Sequence, residues 1–163
     1  MGSLLLTLNH QHLIGYGPHS RAVRIFYETA GINQVTPFDV MLVGLGGGLG
    51  SLLRWGVGRV VGERYRGNFP LGTFLINVSG AFAMGYLSVL FNVDWRLRHG
   101  TAVNAGVLTG VLGGYTTFSS MQLDAVKLTG TSGSLSAGFY LLLSVALGQL
   151  AAWLGGALAR TQV

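Results

Sequence analysis

Four long apolar stretches, separated by short polar segments, make up the chain after residue 38. They lie at about 40–62, 71–91, 100–128 and 137–159. Since roughly 20 residues of helix cross a bilayer, each stretch is long enough to span one. The pattern therefore predicts an all-α membrane protein, in which residues 39–163 form a domain of four transmembrane helices.

Residues 1–38 differ from this domain in composition. They contain three of the four histidines and no apolar run that could span a membrane. Met41 opens the first apolar stretch. We therefore expect 1–38 to be an N-terminal extension that is disordered or that results from the choice of an upstream start site.

The third stretch has a centre that is unusual for a transmembrane helix. It contains an uncharged run, Gly100–Leu123, in which Gly113-Gly114 is followed by Tyr115 and two threonines. Because glycine and β-branched residues are poor helix formers, we predict that the third helix is broken at Gly113–Thr117. Unwound backbone at membrane depth is tolerated only where it is buried in protein or lines a polar cavity. Its carbonyl groups can then hold a cation, and its hydroxyl groups can meet an ion.

The glycines of this stretch allow a second interpretation. Gly106, Gly110 and Gly114 recur every four residues, and small residues at that spacing let two helices approach closely. On this interpretation the third helix is only kinked for packing and binds no ion.

Four other residues within the spans each allow two interpretations. Asn77 either bonds two helices together or donates its NH₂ group to a passing anion, because a buried carboxamide without hydrogen bonds is costly. Arg54 either extends to the membrane surface or places positive charge at a pore mouth. Ser144 lines a path or bonds back to its own helix. Phe118 packs against a neighbour or presents its electropositive ring edge to an anion.

Composition narrows the class of function. Half of the residues are hydrophobic and 9% are charged, and the mean hydropathy is +0.52, which is typical of a multi-pass membrane protein. The net charge of +5 is spread between the apolar stretches, which favours lipid headgroups over nucleic acid as partners. The absence of cysteine excludes disulfides and thiolate metal sites. The spans show no catalytic Ser/His/Asp set, so an enzyme is not expected.

The charges that flank the spans are balanced between the two sides of the membrane. One side has Arg96, Arg98 and Arg160, and the other has Arg64, Arg66 and Lys127. Such balance gives the positive-inside rule no basis for choosing an orientation, and it favours a protein that inserts both ways and pairs antiparallel. Four short helices are also too few to surround an ion path alone, so we expect the protein to oligomerise.

Three segments, taken in order, resemble the CrcB/Fluc family of fluoride channels. GGGLGSLLRW at 46–55 is similar to the family's glycine-rich segment ending in arginine, and PLGTFLINVSGAF at 70–82 to its second-helix signature. GVLGGYTTFSS at 110–120 resembles the family's third-helix break. The resemblance covers about residues 41–160. It implies a four-helix protein of the cell (inner) membrane that forms antiparallel, dual-topology dimers with two fluoride pores.

The resemblance also implies a function and a metal ion. Family members export cytoplasmic fluoride passively, which confers resistance to fluoride toxicity, and a structural sodium ion lies at the dimer centre. Gly113 and Thr116 would hold that ion through backbone carbonyls, and oxygen ligands suit such a hard cation.

For the pore, the resemblance assigns Phe118 to the first of two pore phenylalanines and Asn77 to an asparagine beside the fluoride path. It assigns Arg54 to the vestibule and Ser144 to a pore serine of the fourth helix. Because fluoride is strongly hydrated, a selective pore must replace its water with donors. Our candidate donors are the Asn77 NH₂ group, the Thr117 and Ser144 hydroxyls and the Phe118 ring edge.

The second pore phenylalanine of the family is replaced by Met121. A thioether cannot present a ring edge, although it is flexible and polarizable. Either the pore stays open to fluoride with a changed lining, as a homodimer, or this chain pairs with a different chain that supplies the ring, as a heterodimer.

Two functions of other classes are the alternatives. A small scaffold that packs through its glycine faces would keep its function when Asn77 or Phe118 is replaced by alanine. A subunit of a coupled small-molecule transporter would show uptake that depends on a proton gradient.

Overall fold

The computed structural model describes residues 36–91 and 105–162, and every regular element in these ranges is helical. The elements are α1 (Pro37–Arg64), α2 (Leu71–Leu90), a π-helical segment (Ala105–Leu112), α3 (Gly113–Tyr115), α4 (Phe118–Ser132) and α5 (Ser134–Arg160). Three of them, α1, α2 and α5, are long and apolar enough to cross a membrane. The predicted all-α membrane fold is therefore confirmed at this level.

The predicted third span is the one that differs from a single long helix. Its first residues, 100–104, lie outside the described part of the chain. The remainder consists of three shorter helical pieces, so a fourth continuous membrane-spanning helix is not seen in the described ranges. Most of the proposed N-terminal extension, residues 1–35, also lies outside them.

The helix boundaries lie within a few residues of the predicted spans. Helix α1 begins at Pro37, where a proline is tolerated because the first turn of a helix needs no backbone donor. Pro70 precedes α2. Gly133, with a φ of 88°, separates α4 from α5, and this left-handed backbone is one that glycine adopts without strain.

The helix break is shorter than predicted and lies at Thr116–Thr117. Gly113–Tyr115 is helical, whereas Thr116 (φ −73°, ψ 157°) and Thr117 (φ −152°, ψ 110°) are extended. Helix α4 then begins at Phe118, because the Thr117 hydroxyl caps it by accepting the backbone N–H of Ser120 at 3.2 Å. The β-branched threonines thus take the extended backbone, and the glycines serve another purpose.

The glycines of the third stretch pack against those of α1. A Cβ atom on Gly46 would meet the backbone carbonyl oxygen of Gly106, and one on Gly50 would meet that of Val111. A Cβ on Gly114 would likewise meet the carbonyl oxygen of Gly47. The close-packing interpretation of these glycines is therefore correct, and it holds together with the break rather than instead of it.

Not all glycines of α1 are used in this contact. A Cβ built on Gly44 or Gly48 would have no heavy atom within 4 Å. Large apolar side chains on the same helix are exposed as well, including Leu45, Leu52 and Trp55. In water such a surface would be unstable, so lipid or another protein chain must cover it.

Helices α2 and α5 form the second close contact of the fold. A Cβ on Gly85 would meet the backbone carbonyl of Ala152, and one on Gly155 would meet the backbone carbonyl of Phe82. Because both obstacles are backbone atoms, neither can move aside as a flexible side chain would. Helices α2 and α5 therefore pack with their main chains in direct contact.

We expect Gly85→Ala to destabilise the protein, because the added methyl group would force α2 and α5 apart. Overpacking of this kind costs about 2 kcal/mol. Gly138→Ala on α5 is the matched control, because a Cβ there would meet no heavy atom within 4 Å, and it should leave stability unchanged or raise it. Chemical unfolding of both variants in detergent micelles measures the difference, and equal stabilities would contradict this account of the packing.

Candidate functional site

The break in the third stretch is held by Asn77 of α2. The Asn77 Nδ2 donates to the carbonyl oxygen of Thr117 at 3.0 Å, and the backbone N–H of Thr117 donates to Asn77 Oδ1 at 2.8 Å. A single carboxamide therefore satisfies both backbone groups of a buried residue that belongs to no helix. Of the two interpretations of Asn77, the structure shows the bond between helices, and one N–H of Nδ2 is left for another acceptor.

This pairing frees a carbonyl group at the end of α3. In a continuous helix the N–H of Thr117 would donate to the carbonyl oxygen of Gly113, four residues earlier. That N–H goes to Asn77 instead. The N–H of Thr116 still donates to Leu112 at 3.0 Å. The carbonyl of Gly113 therefore loses its helical donor and lies at the negative end of a helical segment.

Arg54 of α1 reaches the same break from another side. Its Nη1 lies 3.5 Å from the carbonyl oxygen of Thr116, and its Nη2 lies 3.4 Å from Ser51 Oγ. Both distances are at the long limit of a hydrogen bond, so these contacts are weak. The guanidinium is thus directed at the break.

One cavity beside the break brings most of the predicted pore residues together. Its volume is about 380 Å³, and its lining includes Asn77, Thr116, Thr117, Phe118, Met121 and Ser144. These residues come from α2, the break, α4 and α5, so only the folded chain places them on one wall. Gly113 and Arg54 are not part of this lining. Gln149 of α5 also lines it, a residue that we had not assigned to the site.

Phe118 and Met121, three residues apart on α4, have opposite surroundings. The Phe118 residue is 71% exposed, whereas Met121 is 6% exposed and packs with Ala125, Leu128 and Tyr140. The ring of Phe118 is therefore free to contact an ion, a lipid or another protein chain. Met121 belongs to the hydrophobic core, and it lines the cavity from the core side.

Ser144 is buried, and its hydroxyl donates to the carbonyl oxygen of Tyr140 at 2.7 Å. Of the two interpretations of this residue, the bond back to its own helix is therefore present. The residue lies on the cavity wall as well. A hydroxyl already committed as a donor can offer an ion only its oxygen, unless the bond to Tyr140 breaks.

A second cavity lies on the other side of Thr117. It has a volume of about 310 Å³, and Arg54, Thr73, Thr117, Ser120 and Asp124 contribute its polar lining. Thr117 lines both cavities. The Thr73 hydroxyl donates to Asp124 Oδ2 at 2.6 Å, and Lys127 Nζ lies 4.0 Å from Asp124 Oδ1. A positive and a negative side chain therefore share the cavity without pairing with each other.

Sequence analysis missed Thr73, Ser120 and Asp124 as members of the site. A signal was present, because Thr73 lies four residues before Asn77, and Ser120 lies four residues before Asp124. Residues at that spacing share one face of a helix. Two such polar faces, one on α2 and one on α4, meet at the break.

Among the described residues, no group of three or more His, Cys, Asp or Glu side chains could hold a metal ion. A metal ion at the break would therefore have to be held by backbone carbonyls and hydroxyls. Such oxygen ligands suit hard cations and not the transition metals that prefer imidazole or thiolate.

Comparison with known proteins matches the chain to one family model. The model is described as CrcB-like protein, Camphor Resistance (CrcB), and it matches residues 41–156. Fluoride-specific ion channel FluC 2 of Brucella suis biovar 1 (strain 1330) is 67% identical over 128 residues, which are 78% of this chain and 99% of that relative. FluC 2 of Yersinia pseudotuberculosis serotype I (strain IP32953) is 64% identical over 125 residues, 77% of this chain and 99% of that relative. FluC of Rhizobium meliloti (strain 1021) is 40% identical over 124 residues, 76% of this chain and 98% of that relative.

We expect Asn77→Ala to destabilise the protein by about 3 kcal/mol, because it leaves the N–H and the carbonyl of buried Thr117 without partners. Asn77→Asp keeps an acceptor for the N–H but places a carboxylate oxygen against the Thr117 carbonyl oxygen, so it should not restore the lost stability. Asn68→Ala is the matched control, because Asn68 makes one exposed hydrogen bond of 3.4 Å to Ser132. Unfolding in micelles measures all three, and equal losses for Asn77→Ala and Asn68→Ala would contradict the role of Asn77 at the break.

Proposed function

The chain belongs to the CrcB family, and on that premise we propose that it is a fluoride-selective channel through which cytoplasmic fluoride leaves the cell passively. It is a multi-pass membrane protein and a channel, not an enzyme. The observation that carries the proposal is the cavity beside the helix break, where Asn77, Thr117, Phe118 and Ser144 share one wall. Passive export would lower internal fluoride and so protect the cell from its toxicity.

Selectivity for fluoride requires donors that replace its hydration shell. The Thr117 hydroxyl donates to Ser120 Oγ at 2.9 Å, so it is not itself free to donate. The O–H of Ser120 and the second N–H of Asn77 take over that role, and the Phe118 ring edge adds a weaker electropositive surface. Ser120 lines the cavity with Arg54, and Asn77 lines the other. The donors therefore lead from one cavity to the other past Thr117.

Arg54 supplies positive charge to the cavity that it shares with Asp124. Positive charge in a confined space raises the local concentration of anions. The negative charge of Asp124 is partly offset, because its carboxylate accepts from Thr73 and lies near Lys127. We assign this cavity to the vestibule through which fluoride reaches the donors.

We further propose that the carbonyls of Gly113 and Thr116 hold a structural sodium ion. Two features support this assignment. The Gly113 carbonyl has lost its helical donor to Asn77, and a Cβ on Gly113 would meet no heavy atom within 4 Å. A cation and a second chain therefore have room at this position. When bound, the ion would offset the partial negative charge at the end of the interrupted helix in this chain and in a partner chain.

A second chain is needed to complete the pore. Phe118 is 71% exposed, and Gly44 and Gly48 present an open small-residue surface. We propose that an antiparallel partner of opposite membrane orientation covers them, in keeping with the balanced flanking charges. The partner is a second copy or a paired chain that supplies the ring missing at Met121. The numbered names of two of the similar relatives, FluC 2, are consistent with more than one such chain in those organisms.

Fluoride efflux from liposomes that contain the purified chain tests the proposal, with chloride efflux as the control for selectivity. We expect fast fluoride efflux and negligible chloride efflux. Phe118→Ala should slow fluoride efflux by about tenfold, which corresponds to roughly 1.4 kcal/mol of lost interaction. Phe139→Ala is the matched control, because Phe139 is also exposed but lies outside the site.

Chloride efflux as fast as that of fluoride would contradict a selective channel, and a dependence of fluoride movement on a proton gradient would indicate a coupled transporter. If the folded dimer shows no efflux, Met121→Phe and reconstitution with a paired chain follow. Recovery with the paired chain would identify an obligate heterodimer, and recovery in Met121→Phe would show that conduction requires the ring missing at residue 121. Silence in both would leave the scaffold function as the better account.

Replacement of sodium by N-methyl-D-glucamine on both sides of the membrane tests the cation site. We expect the fluoride efflux rate to fall several-fold, because the break loses its neutralising charge. Gly113→Ala should weaken dimer formation and sodium binding without a clash inside the chain, whereas Gly138→Ala should change neither. Efflux and dimer fraction that do not respond to sodium or to Gly113→Ala would remove the ion from the account.

A further inference from the structure

Tyr115, the last residue of α3, makes a hydrogen bond that the proposed pore does not use. Its hydroxyl lies 3.0 Å from Ser79 Oγ on α2. Ser79 Oγ also donates to the carbonyl oxygen of Ile76, on its own helix, at 3.2 Å. The two hydroxyls and one backbone carbonyl thus form a short chain between the break and α2.

The direction of this chain follows from the number of protons. Ser79 has one hydroxyl proton, and it goes to Ile76, whose carbonyl can only accept. Tyr115 must then be the donor to Ser79. Both hydroxyl protons are then donated within this group, so neither Tyr115 nor Ser79 has a donor left for an anion. The role of these hydrogen bonds is structural, because they link the end of α3 to the backbone of α2.

The contact occurs where the break lies closest to α2. A Cβ on Gly80 would meet the methyl group of Thr116, and it would lie 3.1 Å from the Tyr115 ring. Only glycine leaves room at this crossing. Asn77 and Ser79 both lie just before Gly80 in sequence, and they bond to Thr117 and Tyr115.

Three consecutive residues are therefore each held by a side chain of another helix. Tyr115 is bonded to Ser79, Thr116 is contacted by Arg54, and Thr117 is bonded by Asn77. The contact of Thr116 is weak at 3.5 Å. Thr116 is also bonded within its own segment, because its backbone N–H and its hydroxyl both donate to the carbonyl oxygen of Leu112 at 3.0 Å. The bonds of its two neighbours are the ones that hold it against α2.

We propose that Tyr115 and Ser79 form a positioning pair that sets where the break lies against α2. The proposal rests on the proposed function, because the groups that it positions are the Thr116 carbonyl and the Thr117 amide of that site. The Tyr115–Ser79 hydrogen bond is exposed on the surface of this chain. Where lipid or a partner chain covers that surface, no water replaces a lost partner, so the tyrosine hydroxyl remains directed at Ser79. Small displacements of supporting residues are enough to impair a site that depends on fixed geometry.

Fluoride efflux of four variants tests the pair. Tyr115→Phe removes the donor and leaves Ser79 bonded to Ile76, so we expect a rate about threefold to tenfold lower, the range that one neutral hydrogen bond represents. Ser79→Ala leaves the tyrosine hydroxyl without an acceptor and should be slower still. The double variant removes both polar groups, so it should be no slower than Tyr115→Phe and faster than Ser79→Ala. Ser79→Thr retains the hydroxyl and should restore the wild-type rate.

Ser88→Ala is the matched control on α2, because the Ser88 hydroxyl bonds only to the carbonyl of Met84 on its own helix. Its rate should equal that of the wild type. A rate for the double variant equal to the product of the two single losses would overturn the pair. A wild-type rate in Tyr115→Phe would also overturn it, and would leave the channel itself standing.

Backbone hydrogen exchange of residues 116–118 in detergent provides a readout that needs no conduction. We expect faster exchange in Tyr115→Phe, faster again in Ser79→Ala, and wild-type exchange in Ser88→Ala and Ser79→Thr. This order would support the pair even if the wild-type chain alone proved silent in liposomes, a result that would count against the proposed function only. Unchanged exchange in both Tyr115→Phe and Ser79→Ala would overturn the pair whatever the efflux result.

Discussion

The structure depends on one constraint: extended backbone at Thr116–Thr117 lies in a chain built to cross a membrane, where water cannot satisfy its N–H and carbonyl groups. Asn77 satisfies Thr117 with two hydrogen bonds, and Arg54 is directed at Thr116. The bonds that make the break possible also decide which groups remain free. By taking the amide of Thr117, Asn77 releases the carbonyl of Gly113. Support of the break and release of the Gly113 carbonyl are thus consequences of the same hydrogen bond.

Side chains can reach the break only because the helices lie very close together. The glycines of α1 and of the third stretch bring backbone against backbone, and Gly80 makes room for the side chains of Tyr115 and Thr116 where the break crosses α2. In a membrane the hydrophobic effect gives apolar helices no reason to associate, so close packing and hydrogen bonds must hold them. Glycine is therefore used here for proximity more than for flexibility. Gly44 and Gly48 take no part in these contacts within the chain, and their surface remains open for another chain.

The polar side chains around the break fall into two groups, each of which faces one of the two cavities. On one side Arg54 and Asp124 face a common space, and on the other Asn77 and Ser144 do. Thr117 belongs to both. Its hydroxyl is committed to Ser120 and to the cap of α4, so the residue at the boundary transmits position rather than contributing a donor.

The class of protein, the approximate spans and the presence of a break can all be read from the sequence. Span length, hydropathy and poor helix propensity are local properties, and they follow from residues such as Gly113 and Thr116 without knowledge of their neighbours. The close-packing glycines were also readable from their four-residue spacing. The motifs around Arg54 and Asn77 identified the family, which the comparisons confirm.

The tertiary structure decided where each polar group directs its hydrogen bonds. The break lies at Thr116–Thr117, after a helical Gly113–Tyr115, because Asn77 meets it there. The structure also decided that Met121 faces inward while Phe118 faces outward, and that Thr73 and Asp124 join the site. None of these follows from local propensity. The hydrogen bonds depend on which atoms of another helix, distant in sequence, come within about 3 Å, and the burial of Met121 depends on which side chains pack against α4.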